Sequence, residues 1–278
     1  MARAGVLARA SMNPIKDVED FIEYLRIAGK SQHTVRQYAS RVYSFFEAVG
    51  KRSVAELTED DVKNFVLKLR EEASDPVAKS YAHALRAFFK FHNRPDLMRY
   101  VPSFKVESER IQWLPYETVL KIIRGSPVLA VAYDLALRVG EVLLLRAEEY
   151  DPATGTIVVH REKSGLSMLM KLGDYANALL RKYVEENKPK GQLFPYTRAQ
   201  VNAMFKEALR RAGLDPSQYT FHVLRHSRAT HMAIDMLLRR GSVDIYAIAT
   251  FLGHSNLATV MRYVHAAQSY VASRLASR

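Results

Sequence analysis

The first hundred residues predict a bundle of amphipathic helices. Apolar positions recur at helical spacing in four successive segments, with polar residues between them. Ser31 is a suitable N-cap for the second helix, and Thr58 with Asp61 forms a capping-box pattern at the start of the third. Four short-looped helices of this kind predict a compact helical domain over 13–94.

The remainder of the chain predicts a larger, mostly helical domain with one small β-hairpin. The alternating segments 156–162 and 167–172 are typical of two strands paired around a turn at Lys163-Ser164-Gly165. Helical spacing predicts the other elements, at 116–125, 127–137, 140–146, 174–187, 198–212, 222–240, 243–252 and 256–264. The predicted fold class is therefore mainly α, with a four-helix N-terminal domain and a mostly helical C-terminal domain that contains a small β-hairpin or sheet.

The segments outside these two domains have weaker patterns. Residues 1–12 predict a flexible leader, and the prolines and mixed charges of 95–112 predict a linker. The C-terminal domain is predicted over 113–264, followed by a tail helix over 265–278. This tail leaves two alternatives open, which are docking on a neighbouring subunit and packing against its own domain.

Composition points to a polyanionic partner. Lysine and arginine number 41 against 29 aspartate and glutamate residues, which gives a net charge of +12. Such a chain attracts nucleic acid, although composition does not separate DNA from RNA. The absence of cysteine excludes disulfides, thiolate metal sites and cysteine nucleophiles, and it fits an intracellular protein. No apolar run is long enough for a membrane span, so we expect a cytoplasmic location.

The C-terminal half contains an unusual series of polar residues. His222 and Arg225 lie three positions apart in FHVLRHSRATH, so they share one face of a helix. His254 lies in LGHSNLATVMRY, and Tyr263 ends that segment nine residues later.

Further candidates upstream complete a set that suits phosphodiester chemistry. Arg138 and Glu141 lie in LALRVGEVLLLR, and Lys163 lies at the predicted hairpin turn. Paired arginines can clamp the oxygens of a phosphate with forked donors, and histidines can bind the same oxygens or move a proton. A tyrosine hydroxyl can act as a covalent nucleophile, while a lysine protonates the leaving 5′ oxygen. Such a set needs no metal or other cofactor.

The combined pattern resembles the tyrosine recombinase/integrase family. That family has H-x-x-R-H, then L-G-H, then a tyrosine about nine residues on; this sequence has H-V-L-R-H, L-G-H and Tyr263. The family's T-G-x-R-x-x-E corresponds to L-A-L-R-V-G-E, where Ala136 replaces the glycine, a change that we expect to be harmless. The family's hairpin lysine corresponds to Lys163, and the four helices resemble its core-binding domain. The resemblance covers nearly the whole chain and points to a Xer-like recombinase, archaeal members included.

The resemblance implies a role for each matching residue. Tyr263 attacks the DNA phosphorus, forms a 3′-phosphotyrosine and releases a 5′ hydroxyl. The two arginines bind the scissile phosphate, the lysine acts as general acid, the first histidine aids proton transfer and the later one binds a phosphate oxygen. No ATP is needed. The implied catalytic residues are Arg138, Lys163, His222, Arg225, His254 and Tyr263, supported by Glu141.

Other residues of the same types leave alternatives open. Tyr270 and Tyr246 are the rivals of the implied nucleophile, and Lys171 is the rival of the hairpin lysine. Without a phosphate role, Arg138 would form a simple salt bridge. The remaining histidines of this region are expected in structural or peripheral positions, namely His226, His231 and His265.

Basic faces on the second and fourth helices predict contacts with the DNA backbone, which supply affinity rather than sequence choice. The candidates are Arg36, Arg41, Lys79, Arg86 and Lys90. The resemblance implies double-stranded DNA with a specific recombination site as the partner. It also implies a homotetramer on two DNA sites, and a dimer or monomer when free.

Several functions remain open at this stage. Xer-like resolution of chromosome or plasmid dimers competes with integration of a virus or mobile element, and the short chain favours the first. A type IB topoisomerase would share the chemistry without a specific site. A non-catalytic DNA-binding protein and an RNA-binding protein are the alternatives from other classes.

Overall fold

The protein consists of two mainly helical units. The computed structural model describes residues 15–104, 111–162, 165–253 and 257–276. The chain divides into two compact units, Met1–Glu109 and Arg110–Arg278. The described residues form a mostly helical fold with one small sheet, which confirms the predicted fold class.

Four long helices form the body of the N-terminal unit. The predicted caps mark the starts of the second and third helices. Ser31 accepts a hydrogen bond from the backbone N–H of Thr34 at 3.2 Å, and Thr58 and Asp61 form the complete capping box. The helices of this unit are α1 (Lys16–Ile27), α2 (Gln32–Val49), α3 (Glu59–Glu72), α4 (Asp75–Phe91) and the short α5 (Pro95–Met98).

An aromatic cluster fills the core of this unit. Phe45 and Phe89 meet edge to face with ring centroids 5.9 Å apart, and Phe46 meets Phe88 in the same way at 5.7 Å. All four rings are fully buried. Such edge-to-face pairs add to the free energy gained by burying the rings, so the bundle has a core of its own.

The linker predicted for 95–112 is wrong in its first part. Pro95 begins the short helix α5, and both Leu97 and Val101 are buried in the core of the N-terminal unit. Proline suits the first turn of a helix, so its presence did not indicate irregular chain here. The N-terminal unit therefore extends beyond residue 94, at least as far as Phe104, which packs against the same core.

Eight helices are described in the C-terminal unit, and the first seven begin and end within three residues of the predicted bounds. None of the described helices is long and apolar enough to cross a membrane. They are α6 (Tyr116–Ile123), α7 (Pro127–Asp134), α8 (Val139–Leu144), α9 (Asp174–Asn187), α10 (Arg198–Arg211), α11 (His222–Arg240), α12 (Ile245–Leu252) and α13 (Leu257–Ala276).

The described strands form one small antiparallel sheet. Its strands are β1 (Tyr150–Asp151), β2 (Thr156–His160) and β3 (Ser167–Lys171), in that order across the sheet. The predicted hairpin is β2–β3, and the two-residue β1 was not predicted. Ile157 and Val159 point into the core between half-buried neighbours, as the alternating pattern predicts.

Helix α13 is one continuous helix and replaces the predicted break between residues 264 and 265. Its sequence has no glycine or proline that would end a helix at that point. It packs along α11, and both Tyr263 and Ala267 are buried there. Tyr270 lies against Trp113 of the same unit, with ring centroids 5.2 Å apart. The tail thus packs against its own unit in this structure, and docking on a neighbouring subunit stays a prediction.

Candidate active site

Glu141 lies at the centre of a buried cluster of arginines. Its carboxylate is fully buried and accepts hydrogen bonds from Arg138 at 2.7 Å and from Arg161 at 3.1 Å. Arg225 approaches the same carboxylate at 3.5 Å. The backbone N–H of Arg138 also donates to it at 2.9 Å, because Glu141 closes the first turn of α8. One carboxylate thus orients three guanidinium groups.

The charges around Glu141 keep it ionised. Burial raises the pKa of this carboxyl, but the backbone N–H of Arg138 and the charges of the three arginines lower it further than burial raises it. The four side chains together carry three positive charges and one negative charge, a net charge of +2. A buried excess of positive charge is the environment in which an anion such as a phosphate diester is bound.

Arg225 is held in place by backbone carbonyls on two sides. It donates to the carbonyl oxygen of Ala136 at 2.5 Å and to that of Leu252 at 2.6 Å. No described atom accepts a hydrogen bond from its buried Nε. Burial, followed by the positive charge of Arg138, lowers the pKa of Arg225 to about 9. An anion in contact with this guanidinium would oppose both effects, because its negative charge favours the charged form of the arginine.

The turn before Arg138 is strained. Ala136 has φ of 49°, in the left-handed region that favours glycine. This conformation costs a residue with a side chain about 1–2 kcal/mol. The expectation that alanine is harmless at this position is therefore wrong for the backbone, although the turn presents the Ala136 carbonyl to Arg225.

Arg161 belongs to this cluster but was not predicted from the sequence. Its guanidinium is fully buried and donates to Glu141, to the sulfur of Met170 at 3.3 Å and to the carbonyl oxygen of Phe251 at 2.5 Å. The residue follows β2, and its backbone N–H donates to Leu166 across the hairpin at 2.8 Å. Arg161 therefore ties the β2–β3 hairpin to the arginine cluster and to the end of α12.

Tyr263 is buried against α11. Its hydroxyl lies 2.9 Å from Nδ1 of His226, and the His226 ring meets that of His222 edge to face at 4.6 Å. Burial raises the pKa of the Tyr263 hydroxyl, and the positive charges of Arg225, Arg262 and Arg138 oppose this without overcoming it. The phenol is thus protonated at neutral pH and needs a proton acceptor before it can attack.

His226, which was expected in a structural or peripheral position, lies beside the candidate nucleophile. It lies four residues after His222 on α11 and directly contacts the Tyr263 hydroxyl. Burial, with the positive charges of Arg225 and Arg262, lowers the pKa of His226 to about 4. The imidazole is therefore neutral at physiological pH and carries a free lone pair on one nitrogen.

Of the predicted set, the structure brings Arg138, Glu141 and Arg225 together, and the charges of the two arginines act on Tyr263. His222 lies next to His226 and is half-buried. The other two candidates, Lys163 and His254, lie outside the described residues.

The rival residues have other surroundings. Tyr270 packs against Trp113, and Tyr246 is 67% exposed. Lys171 is exposed at the end of β3. Neither tyrosine has a described contact with the arginine cluster, which agrees with Tyr263 as the candidate nucleophile.

The predicted DNA-binding residues differ in the contacts that their side chains make within the bundle. Arg36, Lys79, Arg86 and Lys90 are exposed, and Arg41 is half-buried. Arg41 donates to Ser80 and lies over an aromatic ring, and Arg86 donates to the Val101 carbonyl at 2.8 Å. The last two side chains therefore have roles within the bundle. Across the described residues, no group of three metal-ligating side chains is close enough to hold a metal ion.

Comparison with known proteins places both units in one family. The model described as "Phage integrase family" matches residues 115–269, and "Phage integrase, N-terminal SAM-like domain" matches 18–95. Tyrosine recombinase XerA of Thermococcus kodakarensis is 29% identical over 269 residues, 90% of each chain. XerA of Pyrococcus furiosus is 31% identical over 268 residues, 88% of each chain. A solved lambda integrase dimer bound to a COC′ core site has a TM-score of 0.72 at 17% identity and covers 90% of this chain and 94% of that chain. The chain therefore belongs to the phage integrase family of tyrosine recombinases, enzymes that cleave and rejoin DNA strands.

Proposed function

We propose that this chain is a Xer-like site-specific recombinase whose nucleophile is Tyr263. The observation that carries the proposal is the buried cluster of Arg138 and Arg225 around Glu141, whose net positive charge acts on the Tyr263 hydroxyl. The cluster offers forked donors to the oxygens of one phosphate diester, and the tyrosine supplies an oxygen nucleophile.

The proposed reaction conserves the energy of the phosphodiester bond. The Tyr263 oxygen attacks phosphorus and forms a 3′-phosphotyrosine, while the bond to the 5′ oxygen breaks. Lys163 donates a proton to that oxygen, His222 aids proton transfer and His254 binds a phosphate oxygen. Arg138 and Arg225 stabilise the negative charge that spreads over the phosphate in the transition state. Attack of a partner 5′ hydroxyl on the phosphotyrosine then rejoins the strands.

The proposed partner is double-stranded DNA with a specific recombination site, bound by a homotetramer on two sites. Solved structures of similar fold include a lambda integrase tetramer bound to a Holliday junction, with a TM-score of 0.71. The exposed Arg36, Lys79 and Lys90 would contact the DNA backbone. We place the free protein as a monomer or dimer in the cytoplasm.

Resolution of chromosome or plasmid dimers is the role that we propose first. The relatives named XerA in Thermococcus and Pyrococcus align with this chain over nearly their full length. Integration of a mobile element is the second candidate, because the Tn1549 transposon integrase has a similar fold, with a TM-score of 0.67.

The experiment is covalent trapping on nicked DNA that carries candidate sites, with no metal added. We expect a denaturant-resistant protein–DNA adduct, with the DNA-bearing peptide containing Tyr263. Tyr263→Phe should abolish the adduct and keep DNA binding, whereas the matched variant Tyr270→Phe should keep both. Adduct formation by Tyr263→Phe would show that the nucleophile is another residue. DNA binding without any adduct would favour a non-catalytic DNA-binding protein.

A further inference from the structure

The contact between Tyr263 and His226 has the geometry of a proton transfer. The phenolic oxygen lies 2.9 Å from Nδ1 of His226, within hydrogen-bond distance. Tyr263 is fully buried, so bulk water does not reach its hydroxyl in this arrangement. The buried phenol is protonated, and His226 is the hydrogen-bond partner that the structure gives it.

We infer that His226 is a catalytic residue that accepts the phenolic proton of Tyr263 as the tyrosine attacks the phosphodiester. The inference rests on the proposed function, since it takes Tyr263 as the nucleophile. It gives His226 the role of first proton acceptor, whereas the family resemblance implied His222 in proton transfer.

The step balances with groups already assigned. The Tyr263 oxygen forms a bond to phosphorus, and the bond between phosphorus and the 5′ oxygen breaks. The phenolic proton moves to Nδ1 of His226, which becomes an imidazolium ion. The 5′ oxygen receives a separate proton from the general acid. During rejoining, His226 returns its proton to the tyrosine oxygen as that oxygen leaves.

The surroundings of His226 fit a base that works only when substrate is bound. The charged groups that act on it are Arg225 on its own helix and Arg262 on α13, and both oppose its protonation. A phosphate beside Arg225 adds negative charge at the same place, which raises the proton affinity of the imidazole. His226 thus becomes a stronger base when the DNA phosphate is in position.

His222 is in a position to relay the proton rather than to take it first. Its ring meets that of His226 at 4.6 Å, and it is half-buried, whereas Tyr263 is fully buried. The Tyr263 hydroxyl is hydrogen-bonded to His226. The order from the interior towards solvent is therefore Tyr263, His226, His222.

The test uses asparagine in place of histidine. The Asn amide oxygen takes the place of Nδ1, so His226→Asn can still accept the hydrogen bond from Tyr263 but cannot take its proton. The matched control is His231→Asn on the same helix. His231 has the same kind of contact, with Nδ1 2.8 Å from the Tyr133 hydroxyl, and its pKa is likewise lowered by burial to about 4.

The measurement is the single-turnover rate constant for covalent adduct formation by the full chain on nicked DNA, as a function of pH. We expect His226→Asn to be slower than the unsubstituted protein by about 100-fold or more at pH 7, the range of general base catalysis. Its rate should rise about tenfold per pH unit towards the phenol pKa, because attack then depends on the fraction of the phenol that is already ionised. The unsubstituted protein and His231→Asn should react fast with a flatter profile.

Two controls keep the outcomes distinct. DNA affinity and the thermal midpoint, measured for His226→Asn and for a second variant, His226→Gln, show whether the site remains folded. If folded variants react at the unsubstituted rate, or remain slow with no rise at high pH, the inference is overturned and the proposed function stands. If the unsubstituted protein forms no adduct at Tyr263, the proposed function fails and the inference fails with it.

Discussion

Replacement of Glu141 by glutamine tests whether the negative charge of this residue stabilises the arginine cluster. The substitution keeps the size of the side chain and removes its negative charge. The net charge of the four side chains then rises from +2 to +3, with Glu141 fully buried and two of its partners fully buried as well. Loss of one partner of a buried ion pair costs about 3–5 kcal/mol, because the remaining charge has no counter-charge. We expect the free energy of unfolding of the C-terminal unit to fall by that amount.

The assay can be restricted to the correct unit. The sequence has one tryptophan, Trp113, and it lies in the C-terminal unit against Tyr270. Urea unfolding followed by tryptophan fluorescence therefore reports the unit that contains Glu141. The matched control is Glu207→Gln, which removes an exposed carboxylate paired with Arg210 at 3.0 Å. Such a pair contributes no more than about 1 kcal/mol.

The pH dependence gives a second criterion for the same variant. The pKa of Glu141 is lower in the folded state, so its stabilising charge is fully present above the unfolded value of about 4.3. The stability difference between the two proteins should stay constant above that value and shrink as the pH falls through the folded pKa. A glutamine variant as stable as the unsubstituted protein at pH 7 would refute the claim that the charge of Glu141 stabilises the buried arginines.

Two further predictions concern acid stability and salt. Burial lowers the pKa of His226 and of His231 to about 4, so the unfolded chain binds protons from about pH 6.5 downwards while the folded chain does not. Acidification between these values should reduce the free energy of unfolding by about 3 kcal/mol per histidine. In denaturation curves followed by circular dichroism, His231→Asn should lack the part of this decrease that His231 contributes. Alanine at Arg36, Lys79 and Lys90 together should reduce the slope of log affinity against log salt by about 2–3, near 0.9 per lost phosphate contact, in DNA titrations followed by fluorescence anisotropy. An unchanged slope would mean that these exposed residues do not contact the DNA backbone.

Local signals in the sequence were sufficient for most of the fold. Helix α9 has the predicted bounds of Asp174–Asn187, and the capping box at Thr58 and Asp61 marked the start of α3. These features depend on spacing and on contacts within one turn, which a sequence displays directly. The short β1 has no such signal, because two residues are too few to show an alternating pattern.

The missed residues depend on contacts between distant segments. Ile157 and Val159 of β2 point into the core, and Arg161 is the next residue in this alternation. Its burial could therefore have been predicted from the pattern. Its partners could not, because Glu141 and Phe251 are 20 and 90 positions away. A charged residue at an inward position is the signal that should have marked it.

His226 illustrates the same limit. It lies one helical turn after His222, so the shared face was visible in the sequence. Which of the two histidines meets the tyrosine depends on how α13 packs against α11, and the packing of one helix on another is a tertiary property. The strain at Ala136 was hidden for a similar reason, because the sign of φ is set by the turn into α8.

The continuity of α13 links the nucleophile to the tail of the chain. Tyr263 and Tyr270 lie about 10 Å apart along one helix, at 1.5 Å per residue, and the helix has no glycine or proline at which it could bend. Helix α13 is therefore held at two positions, by the contact of Tyr270 with Trp113 and by the contact of Tyr263 with His226. A ligand or subunit that displaces Tyr270 also displaces the phenol. Binding of a partner to the tail and the position of the nucleophile are then thermodynamically coupled. The coupling free energy is the same in both directions.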